Sequence, residues 1–337
     1  MRLARRVVKR LPVANRITQR IDQLRDERDR LRTQRDLLRH ELDEARRNLE
    51  ATDTADPSQL EAAVVNGHKT PSFLARTETL RRVREHSRQM HGHRDPIWEV
   101  NRKDAGTRFA QSLGVEVPRL IQPPVALNQL ELPDYPRLLV KPVFGAAGRG
   151  VTPLVRNAEG LWTNVFDQSR GPRLWPDIKA DLYSIVETGR IASEFLIEEF
   201  IEGPTPLSVP YDWKLLCVDG RVELIFARDA RNQPTIYKSR YRYWSRDWED
   251  LGPIRDPHKV DPTIPGPLHP TELVETAELV AGALPAIFTR VDLFERATGV
   301  VFGEITPQPG NALWFGREVD RRIGEAWDVA EARSWAK

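Results

Sequence analysis

Residues 288–311 read FTRVDLFERATGVVFGEITPQPGN, and the fold turns on how this stretch pairs with itself. Two β-rich runs flank the turn-forming RATG, so the simplest reading is a hairpin. With the turn centred on Thr298, Asp292 falls opposite Glu304 and Arg290 opposite Thr306. A strand sends successive side chains to opposite faces. That sets Arg290, Asp292, Glu304 and Thr306 on one face, with Val291, Leu293, Val301 and Ile305 pointing towards a core. Two carboxylates directly opposite each other repel. A divalent cation between them removes the penalty, and Mg²⁺ favours hard oxygen donors together with phosphate groups. A solvated surface hairpin with incidental acids accounts for the same residues.

Working outward, RLLVKPVF, SEFLIEEFI, DWKLLCV and RVELIFA are further strand candidates bounded by Gly, Pro and Asp. Helical stretches over Lys103–Leu113 and Pro270–Phe288 lie between strands, so a mixed α+β architecture is expected. In LLVKPVFGAAGRGV, residues 138–151, a strand ends at Lys141 and a loop with Gly145, Gly148 and Gly150 follows. Glycines let backbone N–H groups approach phosphate oxygens, and the Lys supplies a point charge. No GK[ST] ends the loop, so it is not a Walker A loop, and a plain Gly-rich hairpin turn fits it equally. In FLIEEFIEG, residues 195–203, an apolar strand runs into adjacent acids. NRKDAGTRFAQSLGVEVPRL, residues 101–120, reads as a helix from Lys103 to Gly114, then a short strand ending before Pro118.

The N-terminal part is of another kind. Ile17, Ile21, Leu24, Arg28, Leu31, Arg35, Leu38, Leu42, Ala45 and Leu49 are spaced 4-3-4-3 among charged and polar residues. This is the seam of a coiled coil, and it implies a partner helix, here a homodimer. Arg2, Arg5, Arg6, Lys9, Arg10, Arg16 and Arg20 precede the first acid, Asp22. They read as a solvated helix face or, alternatively, as a peripheral contact with an anionic membrane surface. DTADPS, residues 53–58, is a linker, and helical spacing returns over Ser72–Met90. The resulting division is 1–52 basic helix and coiled coil, 53–97 linker and helical segment, 98–325 main domain, and 326–337 tail.

Composition narrows the function classes. The 51 Lys and Arg against 49 Asp and Glu leave a net charge of +2, which argues against bulk polyanion or nucleic-acid binding. One cysteine, Cys217, excludes an intrachain disulfide. No apolar run reaches the roughly 20 residues of a membrane span, and the basic start lacks a signal-peptide pattern. A cytoplasmic protein is expected.

Taken in order, Lys103 with GVEVP, Lys141 with its Gly loop, LIEEFIEG and RVD…GEITPQPG resemble the ATP-grasp superfamily over about residues 98–320. YDWKLLCVDGRVELI, YWSRDW and the ending FGEIT look most like its TupA-like (teichuronopeptide-biosynthesis) amidoligase group. The resemblance implies an ATP-grasp fold, two α+β subdomains clamping ATP, and ATP and Mg²⁺ as cofactors. Lys103 and Lys141 would contact phosphates, Gly145, Gly148 and Gly150 would lie in the loop closing over them, and Glu198 would be the adenine-side acid. The backbone of Glu199 to Ile201 would face the purine, Asp292 and Glu304 would hold the magnesium, and Arg290 would steady the transferred phosphoryl group. Asp212 is assigned to the ribose and Lys214 to the phosphates. Two departures stand out: Thr306 replaces the Asn that D-alanine–D-alanine ligases carry, and Thr205 replaces the usual ribose acid. Gln308 and Asn311 are the substitutes for the third metal position.

The family implies an ADP-forming carboxylate–amine ligase in polysaccharide or cell-envelope polymer biosynthesis. A phosphotransferase on the same fold and a degenerate scaffold protein are the alternatives. For a small-molecule, saccharide or peptide acceptor, residues 235–248 (TIYKSRYRYWSRDW) offer Lys238, Arg240 and Arg242 alternating with Tyr237, Tyr241 and Tyr243. As a strand these give a cationic face and an aromatic one, the latter also readable as buried core.

Overall fold

The strand candidates assemble into two five-stranded sheets whose neighbouring strands all pair antiparallel. A computed structural model describes residues 70–92, 95–145, 147–203, 208–229, 239–255, 257–308 and 315–335. The expected coiled coil and linker lie outside the described residues. The elements below belong to one compact unit, Pro71–Lys337. Its α-helices among the described residues are α1 (Phe73–His91), α2 (Lys103–Ser112), α3 (Trp175–Val186), α4 (Pro270–Gly282) and α5 (Arg317–Trp335).

The first sheet holds β1 (Leu120–Ala126), β2 (Arg137–Pro142), β3 (Thr152–Arg156), β4 (Trp162–Asn164) and β5 (Glu194–Glu199), in the order β1-β5-β2-β3-β4. Alternation along β2 and β5 sends Leu138, Val140, Phe195 and Ile197 into a buried cluster with Trp175, Ile178 and Leu182 of α3. The opposite face receives Leu139, Lys141, Leu196 and Glu198, paired Leu139 to Glu198 and Lys141 to Leu196.

The second sheet holds β6 (Asp212–Val218), β7 (Arg221–Asp229), β8 (Arg240–Trp244), β9 (Phe288–Arg296) and β10 (Gly299–Thr306), ordered β10-β9-β6-β7-β8. Trp213, Leu215, Ile225, Val291, Leu293 and Ile305 bury one face against Leu273, Ala277 and Val280 of α4. The other face changes character along the strands. Leu216, Val218, Phe226 and Phe288 pack under Phe73 of α1 and Ile323 and Trp327 of α5, and Trp327 stacks on Phe288 with ring centroids 5.8 Å apart. Each such side chain contributes about 1.5–3 kcal/mol when fully buried, so this half anchors the sheet. The remaining half carries Asp212, Lys214, Arg228, Arg290, Asp292 and Glu304.

The β9–β10 hairpin pairs Asp292 with Glu304 and Arg290 with Thr306, as expected. It does so with a tighter turn, Arg296 opposite Gly299, and a bulge between Phe302 and Glu304 that shifts the register by one residue. A Cβ on Gly303 would stand 2.8 Å from the Asp292 carbonyl oxygen and 2.9 Å from the Phe294 ring, so the bulge needs glycine there. Because of it, Val300 and Phe302 share the core cluster with Ile305. Val301, expected on that face, lies on the other and pairs with Phe294.

Two element boundaries also differ from expectation. No strand forms over residues 115–117. That segment gives one backbone bond to the hairpin, Phe302 N–H to Glu116 O at 2.9 Å, and the strand starts later, at Leu120. The helix expected to reach Phe288 ends at Gly282, ahead of Pro285, and Phe288 opens β9.

Candidate active site

The polar faces of the two sheets meet around Lys103. This residue opens α2, and its backbone N–H bonds the Val143 carbonyl at 2.9 Å. Its ammonium lies 3.4 Å from the Gly145 carbonyl and 3.7 Å from Glu304 Oε2, so one side chain links the Gly loop to the second sheet. Burial pushes the Lys103 ammonium below its ordinary range; Glu304 opposes the shift and Lys141 adds to it. Lys141, only 6% exposed, pairs with Glu198, 1% exposed, at 2.6 Å. Glu198 is therefore the counterion of Lys141 across the β2–β5 ladder.

The Gly loop spans β2 to β3. Gly145 bridges Ile191, and Ala147, Gly148 and Gly150 all have positive φ, a conformation that glycine adopts without strain. Val151 N–H closes the turn onto the Gly148 carbonyl. At the end of β5, Glu199 accepts the Arg119 backbone N–H at 2.7 Å and pairs with Arg296, which also holds Glu116. Burial acts to raise the Glu199 carboxyl, but these donors prevail and lower it. Ile201 is half-buried, and Thr205 lies outside the described residues.

On the second sheet the charges form a row. Arg290 grips both oxygens of Asp292, with Nη2 at 2.7 Å, and its Nη2 stands 3.4 Å from Glu304. Lys214 bonds Asp292 and pairs with Asp212 at 3.0 Å. Asp212, expected to take a ribose, has its second oxygen held by Arg228 at 2.7 Å. Burial would raise the Glu304 carboxyl, but Lys103, Lys214 and Arg290 outweigh it and hold it at about 2. Burial likewise works against the Arg290 charge, which Asp292 and Glu304 more than restore. Glu304 remains about one-third exposed, the most open carboxylate of the row. Gln308 is half-buried, and Asn311 lies outside the described residues.

Arg228 was not among the sequence candidates. The signal was present, since Leu224, Phe226 and Arg228 share one face of β7 and Asp212 is the register partner of Arg228. Among the described residues, the aromatic–cationic alternation of 235–248 is realised as β8 over Arg240–Trp244. Tyr241 and Tyr243 pack on Phe226, their centroids 6.1 and 5.8 Å from its ring. Arg242 is held by Asp250 and the Ile264 carbonyl, and Arg240 by the His258 carbonyl. Both cations thus have partners within the fold, Arg242 half-buried and Arg240 exposed; Tyr237 and Lys238 lie outside the described residues.

Chemically, two lysines, a Gly loop and an arginine converge where two opposed carboxylates stand, an arrangement suited to a polyphosphate. Among the described residues no helix is long and apolar enough to cross a membrane. A model of the TupA-like ATP-grasp family matches residues 85–328. No curated protein matches the chain. Similar solved structures include a D-alanine–D-alanine ligase from Bacillus anthracis, at 15% identity over 70% of this chain and 70% of that one, with a TM-score of 0.42. The VanG D-Ala:D-Ser ligase from Enterococcus faecalis is similar at 15% identity over 69% of this chain and 61% of its own, with a TM-score of 0.43.

Proposed function

The chain belongs to the TupA-like ATP-grasp family, and from that premise we propose that it is an ATP-dependent, ADP-forming carboxylate–amine ligase. We place it in the assembly of a polysaccharide or cell-envelope polymer, in keeping with the group its sequence resembles. The observation that carries the reading is the position of Lys103, 3.4 Å from the Gly-loop carbonyl and 3.7 Å from Glu304. A triphosphate lying there meets Lys103 and Lys141 on one side and Arg290 and Lys214 on the other.

Glu304, the open carboxylate, and Asp292, whose oxygens are shared with Arg290 and Lys214, would hold a magnesium ion. No group of three or more His, Cys, Asp or Glu among the described residues forms a metal cage. Mg²⁺ is commonly held by one or two carboxylates together with nucleotide phosphates. Bound there, it would neutralise charge developing on the phosphates. In the proposed reaction a substrate carboxylate oxygen attacks the γ-phosphorus and ADP leaves. An amine then attacks the acyl carbon of the acyl phosphate, orthophosphate departs, and the amine gives up a proton. Arg290, held in a fixed plane by Asp292, is placed to steady the transferred group, and Lys141 is fixed against the ladder by Glu198. The protein's part is orientation and charge neutralisation, with no covalent chemistry by a side chain.

Product analysis with candidate carboxylates and amines tests this. A ligase releases ADP and free orthophosphate in equal amounts with the amide. Phosphate retained on a hydroxyl acceptor would make the enzyme a phosphotransferase instead.

A further inference from the structure

Across the second sheet, four cations alternate with three carboxylates in one chain of contacts, running Arg228, Asp212, Lys214, Asp292, Arg290, Glu304, Lys103. The last five of these are accounted for by the nucleotide reading. Arg228 lies two strands from Asp292, on the far side of β6, about 10 Å away at the usual strand spacing. The strand that carries Asp212 and Lys214 lies between the two. Its Nη2 takes Oδ2 of Asp212, which leaves Oδ1 for Lys214. The Arg228 Nε is buried without a hydrogen-bond partner among the described residues; Asp212 is the carboxylate it is paired with and the one that acts on it most strongly, ahead of Asp292 and Glu304.

The geometry assigns Arg228 a positioning role: by sharing the charge of Asp212, it keeps the Lys214 ammonium set between Asp212 and Asp292 and available to an anion. The inference rests on the nucleotide-site reading above. Asp212 and Lys214 are both buried, so their charges are weakly screened. With Arg228 present, the group Arg228–Asp212–Lys214 carries one net positive charge. Without it, Lys214 and Asp212 cancel, and the ammonium is drawn towards Asp212 and away from the Asp292 side. A displacement of about an ångström in such a site is enough to weaken binding and turnover. A purely structural ion pair makes the opposite forecast, because loss of either member only weakens packing.

The test is Mg-ATP binding by calorimetry on the full chain, for wild type, R228K, R228Q and the double variant R228Q/D212N, with urea midpoints measured alongside. R228Q should weaken binding on the order of tenfold, the size of one coupling between contacting residues. R228K, which keeps the charge, should stay close to wild type. Removing the unbalanced carboxylate in R228Q/D212N should bring affinity back above that of R228Q, as expected of coupled neighbours. Wild-type affinity in R228Q would overturn the proposal, as would a double variant that binds no better than R228Q or fails to fold. If the wild type itself bound no Mg-ATP, the ligase reading would fall. The positioning claim would then be decided by urea midpoints of R228Q, K214M and their combination: non-additive shifts uphold it and additive shifts overturn it.

Discussion

Lys141 reads as a candidate phosphate ligand because a strand delivers it straight into a Gly loop. Its dependence on Glu198 was not legible, since the two residues meet only through a β2–β5 ladder that joins segments more than fifty residues apart in sequence. That pairing changes what a substitution does. Lys141→Ala removes the proposed phosphate contact and also strands the Glu198 carboxylate, which is 1% exposed. Breaking a buried pair from one side costs about 3–5 kcal/mol. Urea unfolding of Lys141→Ala should show a loss of that size, and adding Glu198→Gln should recover most of it. Calorimetry should show ATP binding still lost in the double variant. If Lys141→Ala unfolds at the wild-type urea concentration, Glu198 does not depend on Lys141.

At the scale of elements, the strands with clear alternation of apolar and polar residues were readable, and β1, β3 and β4 were not. LIQPPVA and TPLVR carry prolines, and WTN is three residues long, so none gives a strand signal by itself. Helix α5 escaped notice for a different reason: Val319, Ile323, Trp327 and Ala330 face Phe73 and Phe288, which are brought together only by the fold. The hairpin pairing was foreseen correctly for Asp292 and Glu304, but only the Gly303 bulge makes it so. Without the bulge a strict alternation from Phe302 would turn Glu304 into the core and Gly303 onto the site face, because a one-residue slip exchanges the faces. Gly303→Ala should therefore cost about 1–3 kcal/mol, as overpacking typically does, and weaken magnesium-dependent ATP binding as well. Paired urea and calorimetric measurements would show this. A variant unchanged in both would mean the bulge forms without glycine.

For the whole molecule, the near-balance of charge hides a strong local ordering, with cations and carboxylates alternating across one sheet face and apolar residues anchoring its other half. The heptads before residue 50 predict a separate oligomerising element. Deleting residues 1–50 should turn a dimer into a monomer by light scattering, and a persistent dimer would place the interface elsewhere. What unites these readings is the proposed magnesium-dependent nucleotide site between the two sheets, with Glu304 as its most open carboxylate. Calorimetry of ATP binding, with and without Mg²⁺, on wild type and Glu304→Ala addresses it directly. The expected result is binding that magnesium strengthens in the wild type and that Glu304→Ala weakens chiefly when magnesium is present. ATP binding absent from the wild type, or equal in both proteins at every magnesium concentration, would contradict it.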